Sequence, residues 1–196
     1  MTRIIAGNLS SRRIVTPSGP LTRPTTDRVK ESVFAWLAVE VGRADAGAER
    51  QLAGLSFLDL YAGSGAVGLE AVSRGARAQW VEQDRPTARL IERNLADLGV
   101  RGRVVAADVL TYLSRPGRAG ASQFDLVWLD PPYAVASADV EKALGLLLDH
   151  DWLRPGGLVL VERSTRSSAV EFPESFLNIG ARRYGETLVY HAERGE

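Results

Sequence analysis

Apolar and polar positions along the chain follow two rhythms. Near the start, 3–6 and 12–16 are short β-like runs separated by Gly7-Asn8-Leu9-Ser10-Ser11. Gly7-Asn8 favours a turn, so a small hairpin is predicted. Pro17-Ser18-Gly19-Pro20 then breaks the chain. A helix is expected next, capped by Thr25 or Thr26, with Asp27 in its first turn where the helix dipole favours an acid. Val29, Val33, Trp36 and Leu37 recur at helical spacing and mark its buried face. Residues 42–54, rich in Ala, Gly and charge, read as an irregular connector.

From Leu55 onward, apolar runs alternate with amphipathic stretches. Strands are predicted at 56–61, 78–82, 103–107 and 125–130, and again at 158–162 after a turn at Pro155-Gly156-Gly157. Helices are predicted at 66–73, 87–98 and 140–148, with Leu90, Ile91, Asn94, Leu95 and Leu98 on one face of the second. This alternation predicts an α/β fold with an open, mostly parallel sheet covered on both faces. Residues 178–182 and 187–192, joined by a turn at Gly185, read as an antiparallel hairpin closing the sheet edge.

Composition narrows the setting. The 196 residues include no cysteine, which excludes disulfides and thiolate metal sites. His150 and His191 lack carboxylate partners at metal spacing, so no metal is expected. No apolar run reaches membrane-spanning length and the first residues do not resemble a secretory signal, so a soluble, cytoplasmic protein is expected. The zero net charge hides an asymmetry: Arg3, Arg12, Arg13, Arg23, Arg28 and Lys30 face only Asp27 within the first 30 residues. Such a basic arm fits either polyanion contact or a solvated surface.

The candidate chemistry lies at strand ends. Gly63-Ser64-Gly65-Ala66-Val67-Gly68 fits the G-x-G-x-x-G pattern between a predicted strand and helix, where glycines permit a tight turn and close ligand approach. Asp59 near the end of the preceding strand would repel a pyrophosphate but attract the ammonium and sulfonium of S-adenosylmethionine. Glu82, nineteen residues after Gly63, is spaced to accept from ribose hydroxyls. Asp108 could hold an adenine amino group, with Val109 against the ring. The strand ending at Asp130 runs straight into Pro131-Pro132-Tyr133. Two prolines remove two N–H donors and fix nearby carbonyls outward. The Asp130 carboxylate and the Pro131 carbonyl could each accept one hydrogen of an exocyclic NH₂ group and aim its lone pair at a donor methyl. Tyr133 offers a stacking surface for the base. Such an amine is out of reach inside a duplex, so the target would be single-stranded, looped or flipped out.

The segments 59–71, Glu82-Gln83-Asp84, Asp130-Pro131-Pro132-Tyr133 and, most narrowly, 21–31 resemble the ribosomal small-subunit methyltransferase D (RsmD) family. The resemblance runs from Arg3 to about Tyr190. It implies a Rossmann-like class I S-adenosylmethionine-dependent methyltransferase fold, with a seven-stranded, mostly parallel sheet, a C-terminal antiparallel hairpin and an N-terminal hairpin and helix extension. The implied organisation is a basic arm over 1–24 and a methyltransferase domain over 25–196, made of a leading helix at 25–41, the connector 42–54 and a catalytic core at 55–196. The connector is longer than the family usually has.

The implied activity is methylation of the N2 amine of one guanine in 16S rRNA (the guanine-966 type) within the small ribosomal subunit or its precursor, by a monomer. S-adenosyl-L-methionine would be consumed and S-adenosyl-L-homocysteine released. The cofactor would lie against Asp59, Tyr61, Ala62, Gly63, Ser64, Gly65, Gly68, Glu82, Gln83, Asp108 and Val109, with Arg23, Thr25 and Arg28 closing the site. Residue chemistry alone leaves alternatives open: an adenine-N6 or other amine methyltransferase on DNA or another RNA, an NAD-dependent oxidoreductase, and a non-catalytic assembly factor.

Overall fold

The computed structural model describes residues 2–17, 25–116 and 123–196. Seven strands form one sheet in the order β5-β4-β3-β6-β7-β9-β8: β3 Ser56–Leu60, β4 Arg77–Glu82, β5 Arg103–Ala106, β6 Phe124–Leu129, β7 Leu153–Ser164, β8 Phe176–Tyr184 and β9 Thr187–Arg194. The first five run parallel, and β9 and β8 join antiparallel at one edge. From β3 the chain winds outward through β4 to β5, then returns to place β6 on the other side of β3. Strand order therefore reverses between β3 and β6, and this class of sheet opens a crevice beyond the carboxyl ends at such a point.

Two buried layers follow from the pleat. Leu126, Trp128 and Leu160 pack with Trp80 and Phe57 beneath helices α1 Asp27–Glu40, α2 Ala66–Ser73 and α3 Arg85–Leu98. Val127, Leu129, Val159 and Val161 face the opposite side, against α4 Val109–Leu113 and α5 Ser137–Asp149. Adjacent strand residues thus serve different cores, which explains why β6 is apolar almost throughout. Thr26 caps α1 by accepting from Val29 N, and Val29, Val33, Trp36 and Leu37 are all buried.

The structure departs from the sequence expectation at two places. Helix α4 was not predicted; it begins with Asp108, whose side chain accepts from Thr111 N at 2.9 Å. Pro155-Gly156-Gly157 does not end a turn ahead of a new strand. Strand β7 runs through it, with a register irregularity between the pairs Phe124–Leu153 and Leu126–Leu158. The stretch 42–54 is ordered by a 3₁₀ turn, Ala48–Arg50, and by buried Leu52, whose N–H donates to Arg74 O.

The N-terminal hairpin is built into the body. Strands β1 Thr2–Arg3 and β2 Arg13–Ile14 pair antiparallel. Ile4 and Ile14 are fully buried in the α1/α2 core, each contributing about 1.5–3 kcal/mol by burial. Ile5 N and Ala6 N donate to the Glu70 carboxylate, and Leu9 N donates to Ser73 Oγ. Gly7 has φ +82°, and a Cβ there would come within 1.9 Å of Ser73 O. Beyond β2, Val15 N and O both bond to the Asn94 side chain of α3.

Candidate active site

Outside the carboxyl ends of β3, β4, β6 and β7 lies a cavity of about 960 Å³. Of the sequence candidates, Thr25, Asp59, Tyr61, Ala62, Gly63, Ser64, Glu82, Gln83 and Asp130-Pro131-Pro132-Tyr133 all line it. The glycine turn and the Asp-Pro-Pro-Tyr turn, 67 residues apart when counted from Gly63 to Asp130, therefore line one cavity. Adjacent parallel strands bring them together: Leu60 of β3 pairs with Leu129 of β6.

The glycines divide by role. Gly63, with φ +54°, lines the cavity, and a Cβ there would meet nothing, so bare backbone faces the space. Gly65 and Gly68 do not line it. A Cβ on Gly68 would sit 2.3 Å from Trp80 Nε1, and one on Gly65 would crowd Ile91 and Trp80. Those two glycines let α2 close onto β4. Tyr61, between strand and turn, has φ +59°, a left-handed conformation that costs a non-glycine residue about 1–3 kcal/mol. Desolvation first, then the charges of Asp108 and Asp139, push its hydroxyl up to about 12.

The strand-end acids also divide. Asp59 is 2% exposed and accepts from Gly68 N at 2.8 Å. Burial pushes its carboxyl up to about 8; the Gly68 N–H pulls against this and Glu82 adds to it. A cation beside Asp59 would reverse that penalty. Glu82 accepts from Gly63 N and Asp84 N, both at 2.9 Å, and so ties the glycine turn to the end of β4. Asp108 is committed to capping α4, and Val109 is buried in the α5-side core. Neither lines the cavity.

The basic candidates separate in the same way. Arg12, Arg13 and Arg28 are exposed, with Arg12 reaching Asp97 O at 3.2 Å. Arg3 is exposed and pairs with Asp27 at 3.3 Å. Lys30 is not available to a phosphate. Its side chain is 0% exposed, and its ammonium donates to Arg3 O at 2.7 Å and pairs with Asp27. Arg23 lies outside the described residues. Thr16 and Pro17, just past β2, reach the cavity wall, so the hairpin's basic surface leads to the site.

Sequence reasoning missed Glu162, Arg163 and Trp128, all of which line the cavity. Glu162 extends the row of β7 beside Asp130, since Leu129 pairs with Val161. Thr25 Oγ1 lies 2.8 Å from Glu162 Oε2 and 3.3 Å from Asp130 Oδ2. Desolvation and then the Glu162 charge drive the Asp130 carboxyl well above the usual carboxylate range, while Thr25 and Arg163 pull against this. A signal for Glu162 was present: 158–162 is another apolar run ending in an acid. Among the described residues, Trp128 Nε1 and Arg163 Nε are buried donors with no protein acceptor. Both belong to cavity-lining side chains. A ligand with cationic groups for the acids and a carboxylate for the donors suits this wall, and S-adenosylmethionine carries both. Tyr133, 63% exposed, stands at the mouth with its ring free for stacking.

Comparison with known proteins finds relatives along nearly the whole chain. The family model "Conserved hypothetical protein 95" matches residues 2–193. Ribosomal RNA small subunit methyltransferase D of Escherichia coli K12 is 35% identical over 176 residues, covering 89% of this chain and 80% of the relative. The solved structure of Escherichia coli yhhF superposes with a TM-score of 0.81 at 31% identity, covering 99% of this chain and 98% of that one. Magnesium protoporphyrin IX methyltransferase of Synechocystis PCC 6803, at 13% identity, covers 86% of this chain and 79% of its own with a TM-score of 0.61, a likeness of fold. Fold and site thus define a Rossmann-like, class I S-adenosylmethionine-dependent methyltransferase. Within that class, the chain belongs to the conserved hypothetical protein 95 family, that of ribosomal RNA small subunit methyltransferase D.

Proposed function

We propose that the chain transfers a methyl group from S-adenosylmethionine to the exocyclic N2 amine of a guanine in 16S rRNA, the guanine-966 type, on the small ribosomal subunit or its assembly intermediate. The observation that carries the reading is the shared cavity: the glycine turn with Asp59 and Glu82 forms one side, and Asp130-Pro131-Pro132-Tyr133 forms the other. The Escherichia coli relative, a ribosomal RNA small subunit methyltransferase, supports an rRNA substrate.

Asp59, Gly63 and Glu82 would hold the donor, with Thr25 over the opposite rim. The donor supplies an electrophilic methyl on a cationic sulfur. Asp130 Oδ and the Pro131 carbonyl would accept the two amine hydrogens, leaving the nitrogen lone pair aimed along the S–CH₃ axis. Catalysis then rests on alignment and on oxygens placed for the developing positive charge. Tyr133 would stack on the extruded base.

Tritiated methyl transfer to small-subunit particles lacking the modification, with the labelled nucleoside mapped, tests this reading. N2-methylguanosine in 16S rRNA is the expected product; N6-methyladenine, or no label in rRNA, would sink it. The exposed Arg12 and Arg13 are proposed phosphate contacts. Changing both to Glu should weaken particle binding and flatten the slope of log affinity against log salt by roughly 1.5. An unchanged slope would remove the hairpin from the RNA interface.

A further inference from the structure

A second cavity, of about 670 Å³, opens beside the first and shares Tyr133, Arg163 and Ser164 with it. Its walls come from the stretch after Pro132, the start of α5 and the loop that follows β7. That loop reads Ser164-Thr165-Arg166-Ser167-Ser168 and is tied down by short bonds. Ser167 N donates to Ser164 O at 3.0 Å, and Ser137 Oγ of α5 donates to Ser168 O at 3.0 Å. Arg166 N donates to Ser164 Oγ at 3.2 Å, which leaves the Ser164 hydroxyl its own hydrogen to donate. Among the described residues of the lining, two guanidiniums stand with one carboxylate, Glu186. Arg166 reaches that carboxylate through Nη2 at 2.7 Å, a contact that uses part of a five-donor fork. Arg163 is 7% exposed; its Nη2 donates to Val135 O at 3.1 Å, and its Nε has no protein acceptor. Helix α5 begins here with Ala136 as N-cap, and no side chain accepts from its first-turn N–H groups. The positive end of its dipole adds to the two guanidiniums, while Asp139 of the first turn lies outside the lining.

We infer that this second cavity seats the RNA phosphate adjoining the target nucleotide. The inference rests on the amine-transfer reading above and adds a positioning subsite to the same site. A phosphodiester carries one negative charge on oxygens that only accept, the complement of guanidiniums, serine hydroxyls and a helix N-terminus. Tyr133 and Arg163 stand in the wall common to the two cavities. A base stacked on Tyr133 therefore has its own backbone within one sugar of the donor-lined space. An extruded base turns its strand outward, and that strand has to be held while the amine is aligned with the methyl. The two cavities divide the work accordingly. Asp130 and the Pro131 carbonyl select an amine, while Arg166 and the serine loop fix the strand without reading its sequence. The division also accounts for a loop of four donors directly after β7, on the side of the Asp-Pro-Pro-Tyr turn away from the glycine turn.

The test uses the full-length protein and unmodified small-subunit particles. Arg166 and Ser168 line the second cavity and not the first. The Arg166 side chain is 81% exposed, so its replacement spares the core. Arg166→Gln should weaken particle binding roughly fivefold and flatten the slope of log affinity against log salt by about 0.7, one single-strand phosphate contact. Ser168→Asp, which sets a like charge in the cavity, should weaken binding further. S-adenosylhomocysteine affinity, measured by calorimetry, should stay at the wild-type value in both. The position of the contact is read by ethylating particle phosphates sparsely before methyl transfer and mapping which ethyl groups block it. Wild type should be blocked at the phosphate adjoining the target guanine, and Arg166→Gln should lose that block. An unchanged salt slope in Arg166→Gln would overturn the inference, as would a block confined to other phosphates. Wild type producing no N2-methylguanosine would remove the amine-transfer reading itself, an outcome distinct from an active enzyme indifferent to Arg166 and Ser168.

Discussion

Replacing Asp130 with alanine should slow methyl transfer by on the order of 10³-fold, the scale seen when one preorganised hydrogen-bonding group is removed from a reacting centre. The substitution deletes an acceptor for the amine and leaves the Pro131 carbonyl as the remaining one. Asp59, Gly63 and Glu82 are untouched, and no hydrogen bond of the glycine turn involves Asp130. S-adenosylhomocysteine affinity measured by calorimetry should therefore change by less than about tenfold, or 1.4 kcal/mol. Asp130→Asn retains an acceptor oxygen and should fall between the two. Comparable losses in rate and in affinity would place Asp130 in the cofactor site instead of the amine clamp.

The second large effect concerns stability. Glu70→Ala should lower stability by about 3–5 kcal/mol, the range for breaking a buried ion pair from one side. Glu70 is fully buried; its Oε1 accepts from Arg74 Nε at 2.9 Å and Ala6 N at 3.1 Å, and its Oε2 accepts from Ile5 N at 2.7 Å. Removal would strand the Arg74 guanidinium, which is 5% exposed and lies 5.1 Å from the Phe34 ring centroid. It would also leave two N-terminal amides without partners. Thermal unfolding should show a drop of roughly 10 °C for a chain of this length. A drop below about 3 °C would mean that water or a repacked Arg74 replaces the carboxylate. Glu70→Gln, which keeps one acceptor and loses the charge, should cost less.

Much of the sheet was legible because parallel strands buried on both faces are written as short apolar runs, and their helices as amphipathic ones. The bounds of α2 match the reading residue for residue, since Gly65 and Gly75 frame a stretch of good helix formers. The glycine turn and the Asp-Pro-Pro-Tyr turn were legible as local motifs, and β3–β6 pairing accounts for their meeting. What local patterns could not convey was which side of the sheet each residue joins. Helix α4 went unread because a strand-end acid and a helix cap look alike in sequence, and its five residues are too few to display a periodic face. Lys30 was read as a surface cation because nothing nearby in sequence shows that Arg3 O and Asp27 enclose its ammonium. Glu162 was passed over for a similar reason. Its partners Thr25 and Asp130 are 137 and 32 residues away, and only the register of β6 with β7 joins them.

Helix α2 carries obligations at both ends. Its first turn grows out of the glycine loop at the cavity wall, and its later turns hold the hairpin through Glu70 and Ser73. If RNA binds the hairpin as proposed, donor and RNA lean on the same rigid rod and cannot be thermodynamically independent when either one displaces or stiffens it. Linkage then makes the effect mutual: whatever factor the methyl donor contributes to RNA affinity through α2, the RNA must return to the donor. The strength of that coupling would be set by the shared rod, eight residues long, as much as by either binding surface.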